Sequence, residues 1–215
     1  MAEELDAGSV PGARLVALSS RNMERARKVA GGLSRPPKVL PLPEMVPLVD
    51  LVVEAAAGAA LDVIAKETLG RGRDLLALSC GALLDRDDLF ALARSKGATI
   101  FVPSGAIAGL DGVASATAGR IDSVTMITRK PPGALRGAPG VAMAGIGPDR
   151  TTIRIYADPN VTRNTHEIVV EGEFGRLAVN IENVPSPDNP RTGLLSALSA
   201  VSTLRKITSP VRIGT

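Results

Sequence analysis

Over the first hundred residues, short unbroken apolar runs alternate with helix-spaced ones; beyond that the period changes. Four runs read as strands with both faces covered: Ala13-Arg14-Leu15-Val16-Ala17-Leu18, Asp50-Leu51-Val52-Val53-Glu54, Asp74-Leu75-Leu76-Ala77-Leu78-Ser79 and Ala98-Thr99-Ile100-Phe101-Val102. Between them, helical spacing runs from Asn22 to Gly31 (Met23, Ala26, Val29 and Ala30 on one side), from Gly58 to Leu69, and from Asp85 to Ser95. The acids that open the third helix suit its N-terminal dipole. Pro36, Pro37, Pro41 and Pro43 predict a loop. Strand–helix–strand alternation with continuous apolar strands predicts a parallel sheet.

From residue 123 onward the apolar positions recur every second residue, in Ser123–Thr128, Thr152–Tyr156, Thr165–Val170 and Leu177–Ile181. Strands of that kind have one buried and one wet face, and they predict an antiparallel sheet in a second domain. A final helix is expected over Thr192–Arg205, with Leu195, Leu198, Val201 and Ser202 on one face. The fold class is therefore α/β, a parallel-sheet domain followed by an α+β domain with a mainly antiparallel sheet. The expected boundaries are 1–103 for the first domain, 104–191 for the second, and 192–215 for a C-terminal helix and tail that packs back on the first domain.

Composition narrows the partners. The 215 residues are 45% hydrophobic, with three Phe, one Tyr and no Trp, so the core must be aliphatic and there are no aromatic platforms for stacked bases. Net charge is +3 with acids and bases interspersed, and no basic stripe points to nucleic acid. One cysteine, Cys80, excludes an internal disulfide framework. No run reaches the ~20 apolar residues of a membrane span, and the acidic start Met1–Asp6 lacks the plan of a signal peptide. The expectation is a cytoplasmic protein that binds neither membrane nor nucleic acid and holds no metal.

In parallel sheets ligands bind beyond the carboxyl ends of the strands. The segments found there are Ser19-Ser20-Arg21, Glu54-Ala55-Ala56-Ala57, Ser79-Cys80-Gly81-Ala82 and Pro103-Ser104-Gly105-Ala106-Ile107. Their small residues permit close backbone approach, or they are ordinary turn residues. The one histidine of the chain, His166, stands in a polar run from Asp158 to Glu167, in phase with Ile168 and Val170 at the start of a strand. It is either a structural histidine, with Asn164, Thr165 and Glu167 capping a turn, or the acid–base group of a cleft.

Several runs carry a resemblance. Pro103-Ser104-Gly105-Ala106-Ile107-Ala108-Gly109-Leu110-Asp111, Asp122–Thr125, Thr128-Arg129-Lys130-Pro131-Pro132, Ala144-Gly145-Ile146-Gly147-Pro148-Asp149-Arg150-Thr151, and Ala157-Asp158-Pro159 through Glu167 resemble the L-aspartate dehydrogenase family. Phe174-Gly175 and Asn189-Pro190-Arg191-Thr192 continue the match in order. The resemblance implies a Rossmann-type dinucleotide domain joined to an α+β catalytic domain. It implies NAD- or NADP-dependent oxidation of L-aspartate to iminoaspartate, which yields oxaloacetate and ammonia and feeds NAD biosynthesis. It implies His166 as the active-site histidine, Ala106 as a cofactor contact, and a homodimer. An imidazole suits the work, because hydride leaves Cα only from a neutral amine. The dianionic substrate needs cations, for which Arg129, Lys130 and Arg163 are the candidates. Arg129 and Lys130 read equally well as a solvated strand end. At the first strand's end, where NAD enzymes place an acid, the chain has Ser20 and then Arg21, which predicts tolerance of the 2′-phosphate of NADP.

The chain departs from the family pattern twice. No Gly-x-Gly-x-x-Gly lies upstream of Arg14, and the strand preceding that turn, normally central in the sheet, has no counterpart. Gly133–Gly140 runs almost directly into Val141–Ile146, where relatives carry more residues, including a cofactor-binding Asn. Two rivals to the enzyme reading follow: a non-catalytic or truncated relative acting as a binding or oligomerisation module, and another two-domain NAD(P)-dependent dehydrogenase.

Overall fold

Proline placement sets the length of the first strands. A computed structural model of the chain describes residues 1–130, 145–184 and 193–213. In it, β1 (Ala17–Leu18) pairs in parallel with β2 (Lys38–Val39). The run Ala13–Val16 does not extend this strand. Its partner is hemmed in by Pro36 and Pro37 on one side and Pro41 on the other, and proline has no N–H to give a ladder. The proline-rich stretch expected as loop thus holds β2 and the short helix α3 (Leu42–Met45), which follows α1 (Ala2–Asp6) and α2 (Met23–Gly31). Asn22 caps α2, its side chain accepting from the Arg25 backbone N–H at 2.9 Å.

Strands β3 (Leu51–Glu54), β4 (Asp74–Ala77) and β5 (Ile100–Phe101) form a second parallel sheet in the order β3-β4-β5, with α4 (Leu61–Gly70) and α5 (Asp87–Lys96) as crossovers. Among the described residues no ladder joins β1 to β3, so each presents an open edge. Leu75, Leu76 and Ala77 of β4 are fully buried, as the continuous apolar run requires.

The chain divides into two units, Met1–Pro103 with Val201–Arg212, and Ser104–Ala200 with Ile213. The second is built on a four-stranded sheet of order β7-β6-β8-β9, made of β6 (Ile121–Lys130), β7 (Thr151–Ala157), β8 (Asn164–Gly172) and β9 (Gly175–Asn183). β6, β8 and β9 run antiparallel in sequence, whereas β7 pairs with β6 in parallel. β7 also departs from the one-face-buried expectation, since all of Thr152–Ala157 is exposed. A helix that periodicity did not predict, α6 (Leu110–Ala116), packs Val113 and Ala116 into a core with Val124, Met126, Ile168 and Val170. It starts at Gly109, whose φ of +73° suits glycine, and where a Cβ would lie 2.7 Å from a Val179 methyl.

The last helix, α7 (Leu194–Thr208), buries only Val201 of the expected stripe. Leu195, Leu198 and Ser202 are exposed, while Ala200, Val201 and Leu204 are buried. Val201 and Leu204 join Val10 and Leu76 in the core of the first unit, and Arg205 donates to the Ser9 carbonyl at 2.7 Å. No helix among the described residues is long and apolar enough to cross a membrane.

Candidate active site

The buried face of the second-unit sheet changes chemistry along its strands. On β6 the buried residues read Val124, Met126, then Thr128 and Lys130; on β8, Val170 and Ile168, then His166 and Asn164; on β9, Ile181 then Asn183. Register aligns these switches. Met126 lies opposite Ile168, Thr128 opposite His166, and Asn164 opposite Asn183. One end of the face is thus aliphatic and the other polar. Buried polar groups cost stability unless bonded, so a concentrated set of them marks a candidate site.

His166 is 3% exposed, and its Nδ1 lies 3.0 Å from the Thr128 hydroxyl, itself 1% exposed. Burial pushes the imidazole pKa down to about 4, and the Lys130 charge pushes it the same way. The ring is therefore neutral at pH 7. Asn183 donates its side-chain amide to the Ala106 carbonyl at 3.1 Å, which brings the half-buried Ala106 to the same polar end.

The three candidate cations part company here. Lys130 is 8% exposed, on the His166 side of the sheet. Arg129 belongs to the other phase of β6; it is exposed, its guanidinium 4.9 Å from the centre of the Tyr156 ring. Arg163 is exposed and paired with Glu182 at 3.2 Å. Ser20 and Arg21 lie in the first unit, both exposed, just past β1, where the Ser20 hydroxyl accepts from the Asn22 N–H at 3.1 Å. No carboxylate follows β1 before α2. The Gly133–Gly140 segment and the run Asn189–Thr192 lie outside the described residues.

Curated relatives agree with the motif reading. A protein of Methanosarcina barkeri named L-aspartate dehydrogenase is 41% identical over 245 aligned positions, which take in 94% of this chain and 90% of that protein. The chain belongs to the L-aspartate dehydrogenase family. The family model described as aspartate dehydrogenase, C-terminal, matches residues 138–207, and that described as homoserine dehydrogenase, NAD binding domain, matches residues 1–103. The L-aspartate dehydrogenase of Methanosarcina acetivorans is 40% identical over 253 positions, with 98% of this chain and 93% of that one covered. Because 253 positions exceed the 215 residues of this chain, that relative has residues for which this one has no counterpart. The aspartate dehydrogenase of Thermotoga maritima shares the fold at a TM-score of 0.72 and 22% identity, over 94% of this chain and 100% of that chain. This member of the L-aspartate dehydrogenase family is an NAD(P)-dependent oxidoreductase with a Rossmann-type first domain.

Four residues that were not among the candidate site residues stand out in the structure. Thr128 and Asn183 complete the polar end of the sheet, and Asn164 lies in the same phase as His166. The signal was available, because each is a polar residue in the apolar phase of its strand. Glu54 is the fourth. It ends β3 at 1% exposure, accepting from the backbone N–H groups of Ala56 at 2.8 Å and Ser79 at 3.0 Å, and from the Ser79 hydroxyl at 3.1 Å. One carboxylate thus ties the turns after β3 and β4 together at the ligand-binding end of a parallel sheet.

Proposed function

We propose that the chain catalyses NAD(P)-dependent oxidation of L-aspartate to iminoaspartate, which water converts to oxaloacetate and ammonia, and the reverse amination, in support of NAD biosynthesis. The observation that carries this reading is the polar end of the sheet face. It gathers a neutral buried imidazole, a buried ammonium and the Ala106 backbone on adjacent strands and loop.

His166 takes a proton from the substrate ammonium, leaving the neutral amine from which hydride departs, and in the second stage polarises the water that adds to the imine. Lys130 pairs with a substrate carboxylate. That pairing also readies the base, because a bound dianion offsets the Lys130 field and raises the imidazole pKa from its depressed value. The dinucleotide, when bound, supplies the hydride acceptor. Ser20 and Arg21 suit its adenosine ribose, and Ala106, lacking a bulky side chain, suits close approach of the nicotinamide end. With no acid after β1 and Arg21 exposed, a 2′-phosphate meets a cation and no repulsion, so NADP is accepted. The same reading takes the molecule as a cytoplasmic homodimer.

The decisive assay follows oxidation of NADH and NADPH with ammonia and a panel of 2-oxo acids. Turnover of oxaloacetate above the others, lost in His166→Ala with dinucleotide binding kept, is the expected result. Preference for another 2-oxo acid assigns a different dehydrogenase; dinucleotide binding without turnover of any acid assigns a binding relative. Fluorescence titration with both dinucleotides tests Arg21, and a clear preference for NAD counts against its role.

A further inference from the structure

We infer that Thr128 is a positioning residue for His166: its hydroxyl accepts the Nδ1–H, so that Nε2 is the bare, proton-accepting nitrogen. The inference rests on the reading of His166 as the acid–base group.

The geometry is a cross-strand pair. Thr128 and His166 stand directly opposite each other on β6 and β8, both almost wholly buried, with Oγ1 and Nδ1 3.0 Å apart. A β-branched side chain has few χ1 wells, so the strand fixes where this hydroxyl points. A neutral imidazole has one N–H. If the hydroxyl donates to Nδ1, the proton sits on Nε2 and that nitrogen cannot act as a base. If the hydroxyl accepts from Nδ1–H, Nε2 is free. Once Nε2 takes a proton both ring nitrogens are donors, and a buried Nδ1–H without an acceptor carries the full desolvation cost. A hydroxyl meets this need in both protonation states, whereas a carboxylate would charge the pair permanently. Lys130 is the charged group whose field reaches the ring, and an ammonium cannot accept the Nδ1–H in place of the hydroxyl.

Because the chain has one histidine, its imidazole signals need no assignment. Nitrogen NMR of the 15N-histidine-labelled whole protein at pH 7 reads the tautomer directly. The expected result is protonated Nδ1 and bare Nε2 in the unmodified protein and in Thr128→Ser. In Thr128→Val the tautomer ratio shifts by about tenfold, the equivalent of one buried hydrogen bond. In the oxaloacetate amination assay, kcat falls about tenfold or more in Thr128→Val and is largely retained in Thr128→Ser. A proton resident on Nε2 in the unmodified protein overturns the inference without any variant having to fold. So does Thr128→Val with unchanged tautomer ratio and kcat. If the unmodified protein is inactive, the acid–base reading fails by itself and the tautomer still decides whether Thr128 sets the ring.

Discussion

The Asn183 side-chain amide reaches back 77 residues along the chain to bond the Ala106 carbonyl at 3.1 Å. The end of an edge strand thereby holds the loop that leads into α6. Asn183 is 4% exposed, so removing its amide leaves a carbonyl short of a partner in a largely dry place. Asn183→Ala is expected to weaken dinucleotide binding about 3- to 10-fold, the worth of one hydrogen bond, as read by fluorescence titration. Unchanged affinity would separate this loop from the cofactor.

His166 makes folding stability depend on pH. Its folded pKa of about 4 lies below the ordinary 6.5, through burial first and the Lys130 charge second. Between those values the unfolded chain binds the proton and the folded one does not, so stability falls as pH falls. Comparing urea unfolding at pH 7.5 and 4.5 with that of His166→Asn isolates the contribution. The unmodified protein should lose roughly 2 to 3 kcal/mol more over this range than the variant. Parallel losses would mean that the ring is solvated.

Glu54 should behave as a strut. Its buried carboxylate satisfies two backbone N–H groups and the Ser79 hydroxyl, which also reaches the Ala56 carbonyl at 3.3 Å; among the described residues no other side chain bonds these donors. Glu54→Ala is expected to cost about 2 to 4 kcal/mol, and Glu54→Gln less, because the amide oxygen keeps part of the pattern. Thermal unfolding with each variant checks the order.

Gly109→Ala tests the start of α6. A left-handed alanine costs about 1 to 2 kcal/mol. The new Cβ would also displace a Val179 methyl, so a total of about 2 kcal/mol or more is expected in denaturant unfolding. A neutral result would mean that β9 gives way easily at Val179.

Alternation made one face of the second-unit sheet readable. His166 shares its phase with Ile168 and Val170, and the structure puts all three on one face. The same rule applied to Met126, Thr128 and Lys130 distinguishes Lys130 from its neighbour Arg129, a distinction that charge alone did not make. Other features depended on tertiary partners. Helix α6 reads Leu-Asp-Gly-Val-Ala-Ser-Ala, too short and too rich in small residues for a periodic signal. In α7 two apolar stripes share Val201, and only packing against Val10 and Leu76 selects the one with Leu204 over the one with Leu195 and Leu198. The Asn183 bond to Ala106 joins a side chain to a backbone atom, and residue type gives no warning of it.

The switch from aliphatic to polar side chains between Met126 and Thr128, repeated between Ile168 and His166, divides labour within single strands. Residues on one side of that line belong to the aliphatic core; those on the other are the polar groups proposed to meet the substrate. On the proposed reading, changes at the polar end can alter substrate preference while the greasy half stays as it is. For anyone redesigning this scaffold, the rung from Met126 to Ile168 is the frontier to leave untouched.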